Sequence, residues 1–301
     1  MPPSLVVDSL TKRFGSVTAV DDLSFTAPAG CVTGLVGPNG SGKSTTMRAA
    51  LGLVHPSGGR VVVDGMRYSD LVNPLTHVGA VLDAGAVNGG LTGRAHLRWI
   101  CHSNRIRVDR IDPILDRVAL AAAANRRVSS YSLGMKQRLG IAAALLGDPP
   151  ILIFDEPMNG LDPEGMVWLR AFLRDQAGHG RIVLLSSHLM KELEGIADRL
   201  VIVDRGRLID DTTVAALLAA DGDAPVTVRT TQRVDVMAVL ANAGASVTST
   251  DRETIEVVGL PAERIAQIVA AHGLELHALH VAPRNLEEIY LQRTSRARSG
   301  R

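Results

Sequence analysis

The residues with the clearest chemistry lie in GPNGSGKS, residues 37–44, which fits the phosphate-loop pattern GxxxxGK[ST]. Its glycines let the chain curl so that successive backbone N–H groups can point at a di- or triphosphate. A glycine turn that only joined a strand to a helix would not also need Lys43 and Ser44. The pattern therefore predicts a nucleotide site formed by Gly37, Pro38, Asn39, Gly40, Ser41, Gly42, Lys43, Ser44 and Thr45.

Two of these side chains have distinct predicted roles. The Lys43 ammonium can neutralise charge on the β- and γ-phosphates in both the ground and transition states, so we count it among the catalytic residues. The Ser44 hydroxyl can bind Mg²⁺. Residues 43–51 have helical spacing, which places the phosphates at a helix N-terminus that favours anions.

A second set of candidate catalytic residues follows two apolar runs. Residues 151–154 form an apolar strand pattern that ends in Asp155 and Glu156, and residues 182–185 form another that leads to His188. Asp155 can hold Mg²⁺ through water, and Glu156 can polarise an attacking water. His188 can contact a γ-phosphate and orient that water. The alternative for the acidic pair is a cap on the following helix.

These residues need an α/β framework to bring them together. Apolar residues 31–36 predict a buried strand before the loop, and residues 5–8, 17–26, 60–63 and 76–82 predict further strands, with a turn at 12–15. Residues 92–124 have an Arg-rich helical pattern, and residues 139–146 predict a helix that Pro149 and Pro150 end. Since parallel strands present their carboxyl ends at one edge of a sheet, the phosphate loop and the second set of candidate catalytic residues should meet at that edge.

Phe14 is unusual because it is one of only nine aromatic residues and lies in an otherwise polar turn. Two interpretations are open. The ring can stack on an adenine, or it can be a hydrophobic plug beneath the turn.

Composition limits the classes of partner. With 46% hydrophobic residues, the 301-residue chain can build a sizeable core, and its net charge of +1 provides no general field for nucleic acid or an anionic membrane. Cys31 and Cys101 have no metal-ligand spacing. No run of about 18 apolar residues occurs. We therefore expect a soluble chain with no nucleic-acid partner.

Taken together, the motifs from about residue 5 to residue 218 resemble the nucleotide-binding subunits of ATP-binding-cassette (ABC) transporters. Residues 37–44 look like the Walker A loop, 151–156 like Walker B, 159–162 like the D-loop and His188 like the switch histidine. Residues 131–137, YSLGMKQ, are similar to the signature motif. The resemblance implies an α/β P-loop core over residues 1–220, with an antiparallel β subdomain, a helical insert at about 84–135, and ATP and Mg²⁺ as ligands.

Within that family, the chain looks most like the ABC-2-type exporters. This resemblance implies a separate membrane permease, a peripheral location on the cytoplasmic side of the cell membrane, and a homodimer in which Ser132 and Gly134 contact nucleotide bound to the other copy. A soluble ABC ATPase acting in translation or DNA repair is the alternative, but the double cassette or long coiled coils of such proteins do not occur here. A P-loop kinase would not need the signature stretch.

Two features depart from the family pattern. The signature reads YSLGM and not LSGGQ, so it keeps Ser132 and Gly134 but loses one glycine and the glutamine. Asp83 stands where a glutamine is usual. Asp83 can approach Mg²⁺ through a water and report the nucleotide state to the permease, or it can only cap the turn at residues 84–85.

Residues 225–293 predict a small accessory or regulatory domain. Strands and helices alternate as βαββαβ, with strands at 226–230, 246–250, 254–258 and 275–281, which suits a ferredoxin-like unit. Asn285 would cap a last helix to about residue 293, before a disordered tail at 294–301. His272, His277 and His280 follow no strand or helix face, which favours ordinary histidines over a metal site.

Overall fold

The computed structural model describes residues 4–83, 85–219, 225–249, 251–281 and 286–287. The chain divides into two compact units, the first ending at Val214 and the second beginning at Ala215. Among the described residues, no helix is both long and apolar enough to cross a membrane.

The elements up to residue 219 comprise strands and helices in mixed order. The strands are β1 (Leu5–Phe14), β2 (Val17–Ala27), β3 (Val32–Val36), β4 (Gly58–Val63), β5 (Val78–Val81), β6 (Ile151–Phe154), β7 (Ile182–Ser187), β8 (Arg199–Asp204) and β9 (Arg207–Thr213). The helices are α1 (Lys43–Ala50), α2 (Gly93–Ser103), α3 (Ile111–Arg117), α4 (Leu133–Leu145), α5 (Pro163–Gly178), α6 (Met190–Leu193) and α7 (Val214–Ala219).

A six-stranded sheet positions the site. Its order is β5-β6-β7-β3-β8-β9, and all neighbours are parallel except β8 and β9. Every residue of β3, β6 and β7 is buried, which explains why these strands are apolar runs without alternation. The carboxyl ends of β5, β6, β7 and β3 lie side by side, as the α/β prediction requires. The hairpin of β8 and β9 was not predicted.

An antiparallel sheet, β2-β1-β4, forms the other layer of the first unit. The predicted turn at residues 12–15 is wrong, because β1 continues to Phe14 and pairs there with Val17. Gly15, at a φ of 57°, makes the turn instead. Lys12 and Arg13 looked like turn residues because they are polar, but one face of an antiparallel sheet can be solvated.

The helical region is broken into shorter pieces than the pattern suggested. α2 and α3 are separate helices, and the predicted helical stretch at residues 139–146 belongs to α4, which begins at Leu133. The Ser132 side chain accepts a hydrogen bond from the Met135 N–H and so caps the first turn of α4. This cap and the good helix formers after it outweigh the cost of Gly134 in the first turn.

The second unit has the predicted ferredoxin-like topology. Its elements are β10 (Val226–Arg229), α8 (Arg233–Asn242), β11 (Ser246–Ser249), β12 (Thr254–Val258), α9 (Ala262–Ala271) and β13 (Ala278–Val281). The sheet order β11-β12-β10-β13, antiparallel throughout, is that of a split βαββαβ unit. The predicted last strand is shorter at its start. Of the predicted final helix, only Leu286 and Glu287 are described, both helical, and the tail lies outside the described residues.

Candidate functional site

The turn between β3 and α1 can only be built with glycine. Gly40 and Gly42 have φ angles of 79° and 102°, a region that residues with a Cβ rarely adopt. A Cβ at Gly42 would also lie 2.6 Å from the Ala19 carbonyl oxygen, and one at Gly37 would lie 2.2 Å from the Val203 carbonyl oxygen. The loop therefore packs closely against neighbouring backbone, and its glycines have no side chains that would cover its own backbone.

This loop fits an anionic ligand. No side chain caps the start of α1, so the first-turn N–H groups stay available. The buried Ser41 hydroxyl has no hydrogen-bond partner in the described structure. A cavity of about 360 Å³ opens over the loop, and it is lined by Phe14, Ala19, Asn39, Gly40, Ser41, Gly42, Lys43, Ser44, Thr45 and Glu156. The site thus provides backbone donors, a hydroxyl without a partner and room for a phosphate chain.

Lys43 is held inside the loop and not in solvent. Its side chain is 5% exposed, and its Nζ donates to the carbonyl oxygens of Gly37 at 2.7 Å and Pro38 at 3.2 Å. The same Nζ lies 3.5 Å from Glu156 Oε1. The positive charge is therefore fixed at the floor of the cavity beside a carboxylate from a different strand.

The acidic pair lies at the carboxyl end of β6. The Asp155 N–H donates to the Val81 carbonyl at 2.9 Å, which ties the pair to β5 as well. Glu156 has a φ of 48°, in the left-handed region that is unusual for a residue with a side chain. Both residues also contact Ser186, whose hydroxyl accepts from the Glu156 N–H at 2.8 Å and donates to Asp155 Oδ1 at 2.6 Å.

The end of β7 brings His188 to the acidic pair. His188 Nδ1 lies 2.8 Å from Glu156 Oε2. The Ser187 hydroxyl accepts from the Leu189 N–H and donates to Glu192, which fixes the turn that carries His188. Lys43, Glu156 and His188 therefore form one continuous chain of polar contacts, as suits an arrangement that orients a water beside a phosphate.

Phe14 lies at the cavity and is 50% exposed. This exposure contradicts the interpretation as a hydrophobic plug and favours a stacking surface. Lys12 Nζ lies 4.8 Å from the centre of the Phe14 ring, within the range of a cation–π contact.

Ser132 and Gly134 are not brought to this cavity within the same chain. Neither is among the described residues that line it. Ser132 is exposed at the start of α4, and Leu133 beside it is 47% exposed. A Cβ at Gly134 would lie 3.5 Å from Leu161 of the predicted D-loop. The signature and D-loop stretches therefore form one surface apart from the phosphate loop of their own chain.

Asp83 follows β5 but does not line the cavity among the described residues. Its side chain is exposed, and its Oδ1 accepts a hydrogen bond from the Gly85 N–H at 2.7 Å. This contact is the turn cap that was one of the two alternatives.

Two of the predicted metal ligands remain suitably placed. Ser44 lines the cavity, and Asp155 lies beside Glu156, which also lines it. Among the described residues, no group of three or more His, Cys, Asp or Glu side chains could hold a metal by itself, so a cation here would need phosphate oxygens as further ligands. Sequence reasoning missed Ser186, for which the only signal was the polar Ser-Ser-His ending of an apolar strand.

Comparison with known proteins gives a consistent assignment. Residues 20–159 match the family described as ABC transporter, and residues 224–287 match a domain of unknown function. The uncharacterized ABC transporter ATP-binding protein YhcH of Bacillus subtilis (strain 168) is 32% identical over 98% of this chain and 97% of its own length. The Nod factor export ATP-binding protein I of Rhizobium leguminosarum bv. viciae is 34% identical over 98% and 96%.

Other relatives match about 70% of the chain. The bacitracin transport ATP-binding protein BcrA of Enterococcus faecalis is 36% identical over 70% of this chain and 69% of its own length. A solved ATP-binding subunit of an ABC transporter superposes with a TM-score of 0.66 at 28% identity, covering 72% of this chain and 92% of that one. A bacterial Atm1-family ABC exporter with ATP bound gives a TM-score of 0.64 at 26% identity, covering 73% and 40%.

Proposed function

The chain belongs to the family of ABC transporter ATP-binding proteins and is an ATPase, and we infer that it powers export through a separate membrane permease. One observation carries this proposal: the phosphate loop and Glu156 line a single cavity with Lys43 at its floor, and His188 contacts Glu156 from the neighbouring strand end. Similarity over nearly the whole chain to a protein named for Nod factor export supports the export role.

Nucleotide binding follows from the loop. Its backbone N–H groups and the N-terminus of α1 would hold the phosphates, and the face of Phe14 would accept the adenine. Lys43, which now donates to two loop carbonyls, would donate to phosphate oxygens. Ser44 and Asp155 would hold Mg²⁺, Asp155 through water. Bound Mg²⁺ supplies charge neutralisation on the phosphates.

Hydrolysis requires a polarised water. Glu156 would accept a proton from the water as its oxygen attacks the γ-phosphorus, and the bond from that phosphorus to the bridging oxygen of ADP would break. His188, hydrogen-bonded to Glu156 at 2.8 Å, would keep the carboxylate in position and contact the γ-phosphate. The products are ADP and phosphate.

The site needs a second copy of the chain to be complete. Ser132 and Gly134 lie on a surface away from the cavity of their own chain, and each chain carries both halves once. A symmetric homodimer would place the signature surface of each copy over the phosphate loop of the other. We further propose that the permease is of the ABC-2 type and that the chain binds its cytoplasmic side.

The decisive experiment co-expresses the chain with a candidate membrane permease from the same genome and purifies the two together. Wild type should co-purify from membranes and hydrolyse ATP. Glu156→Gln should keep ATP binding, lose turnover by about a hundredfold or more, and accumulate as an ATP-bound dimer in light scattering. Lys43→Ala should lose ATP affinity in calorimetry. A Glu156→Gln complex that turns over ATP at the wild-type rate would overturn the proposed chemistry, and absence of any membrane partner would overturn the export role.

A further inference from the structure

We propose that Ser186 is a positioning residue for the acidic pair: its buried hydroxyl fixes Asp155 for metal binding and Glu156 for water activation. This inference rests on the proposed function of the same site. Ser186 is not among the described residues that line the cavity, and its hydroxyl bonds to both members of the acidic pair, so we expect its effect to pass through the two carboxylates.

The sheet register brings Ser186 to the pair. β6 and β7 are parallel, and Phe154 is opposite Leu185, so the next residues along each strand are neighbours. Ser186 is fully buried, with 0% of its surface exposed. A serine hydroxyl has one proton to donate, and here it donates to Asp155 Oδ1 at 2.6 Å while accepting from the Glu156 N–H at 2.8 Å.

The bond to Asp155 sets the rotation of its carboxylate. The backbone of Asp155 is already fixed, since its N–H donates to the Val81 carbonyl, so the side-chain torsions are the remaining freedom. With Oδ1 held by Ser186, Oδ2 is the oxygen left for a metal-bound water. Hydrogen bonds behind a metal ligand typically control affinity in this way.

The bond to Glu156 supports an unfavourable backbone. Glu156 has a φ of 48°, which its Cβ makes costly. That conformation aims the side chain so that Oε1 lies 3.5 Å from Lys43 Nζ and Oε2 lies 2.8 Å from His188 Nδ1. Loss of the Ser186 acceptor would leave the Glu156 N–H unpaired and remove one of the contacts that maintain this orientation.

The neighbouring Ser187 has a different role from Ser186. The Ser187 hydroxyl bonds to Leu189 and Glu192 in the turn that carries His188. The two consecutive hydroxyls therefore hold different parts of the site: Ser186 holds the acidic pair and Ser187 holds the histidine turn.

The test compares Ser186→Ala with Ser186→Thr in the permease complex. Ser186→Ala should raise the Mg²⁺ concentration for half-maximal ATPase activity by about tenfold and lower kcat by about tenfold. At saturating Mg²⁺ the KM for ATP should change by less than about twofold, because Lys43 and the loop are intact. Ser186→Thr keeps the hydroxyl and should recover most of the Mg²⁺ response.

Binding provides a readout independent of turnover. In a Glu156→Gln background, calorimetry should show that Ser186→Ala weakens ATP affinity by about tenfold at limiting Mg²⁺ and leaves affinity in EDTA unchanged. Thr33→Val is the matched control, because the buried Thr33 hydroxyl in the same sheet has no hydrogen-bond partner in the described structure. It should leave both affinities unchanged.

Two results would overturn the proposal. One is a Ser186→Ala protein with the wild-type Mg²⁺ requirement and affinity; the other is an equal loss of affinity with and without Mg²⁺, as a general packing role would give. In either case an inactive Glu156→Gln protein would leave the proposed function standing. Wild-type turnover by Glu156→Gln would instead remove the proposed function itself.

Discussion

Asp83 offers the sharpest separation of two roles that the same carboxylate could have. The structure shows its Oδ1 accepting the Gly85 N–H at 2.7 Å, within a turn in which the Ala86 N–H also donates to the Asp83 carbonyl. If this cap is its role, Asp83→Asn should behave as wild type, because an amide oxygen accepts the same bond. If the charge acts on Mg²⁺ through water, Asn should alter the Mg²⁺ requirement.

The expected size of the effect follows from the solvent exposure of the hydrogen bond between Asp83 and Gly85. One solvent-exposed hydrogen bond contributes about 1 kcal/mol, which corresponds to about a fivefold change in the population of the ordered turn. Asp83→Ala removes the acceptor, and Asp83→Gln moves it one methylene farther from the backbone. Both should therefore loosen the turn by about that factor, which is too little to unfold the domain.

Amide hydrogen exchange at Gly85 measures the turn directly. We expect exchange to be about fivefold faster in Asp83→Ala and within about twofold of wild type in Asp83→Asn. ATPase activity of the permease complex across Mg²⁺ concentrations should be unchanged for Asp83→Asn and lose permease-linked stimulation for Asp83→Ala.

One pattern refutes this reasoning. If Asp83→Asn changes the Mg²⁺ requirement while Gly85 exchange stays at the wild-type rate, the charge of Asp83 acts at the metal and the cap is incidental. Asp83→Gln would then remain coupled to the permease with its own altered Mg²⁺ requirement.

Three further variants test other contacts in the first unit. Tyr131→Phe removes a buried hydrogen bond of 2.7 Å to a backbone carbonyl before the signature, so urea titration should show about 1–2 kcal/mol lower unfolding free energy; an unchanged midpoint contradicts this. Burial lowers the pKa of His96 from its ordinary 6.5, so the unfolded state binds the proton more readily and stability is lost as pH falls below 6.5. His96→Gln should flatten that loss, whereas the exposed His102→Gln should not. Gly42→Ala forces a Cβ within 2.6 Å of a backbone carbonyl and should weaken ATP binding by about tenfold or more, while Gly180→Ala, at a φ of 81° in open space, should cost about 1 kcal/mol of stability and leave ATP affinity unchanged.

The phosphate loop was predictable because its parts are local. A buried strand, the glycines, Lys43 and the start of α1 lie within about twenty residues, and each is indicated by residue type alone. The rule that parallel strands end at one edge then brought Asp155, Glu156 and His188 to the loop. The ferredoxin-like unit was predictable for a similar reason, since short alternating elements leave few topologies.

Contacts that depend on register or on a single hydroxyl could not be predicted. Ser186 and Asp155 are 31 residues apart, and nothing in either strand pattern says that they are opposite each other. The early start of α4 depended on the Ser132 cap, which competed with Gly134. The role of Asp83 was left open because both of its interpretations require the same residue at the same place.

The signature helix and the acidic pair of one chain are joined through aromatic side chains. Arg138 of α4 lies over the Trp168 ring at 4.4 Å from its centre, Trp168 stacks on Phe172 at 5.5 Å, and Phe172 meets Phe154 edge-on at 6.4 Å. Phe154 directly precedes Asp155. In a chain with only nine aromatic residues, this series concentrates large rings between α4, α5 and the end of β6.

A second connection runs through β5. A Cβ at Gly140 of α4 would lie 3.3 Å from a Val81 methyl carbon, and one at Gly79 would lie 2.1 Å from the Ala144 carbonyl oxygen, so α4 and β5 pack almost backbone to backbone. Val81 in turn accepts the Asp155 N–H. Because both connections are close-packed, a shift of α4 alone would cost packing at each of them. In the proposed homodimer, nucleotide contact at the exposed start of α4 should therefore move α4 together with β5, and the exposed turn after β5 that Asp83 caps should yield most easily to that motion.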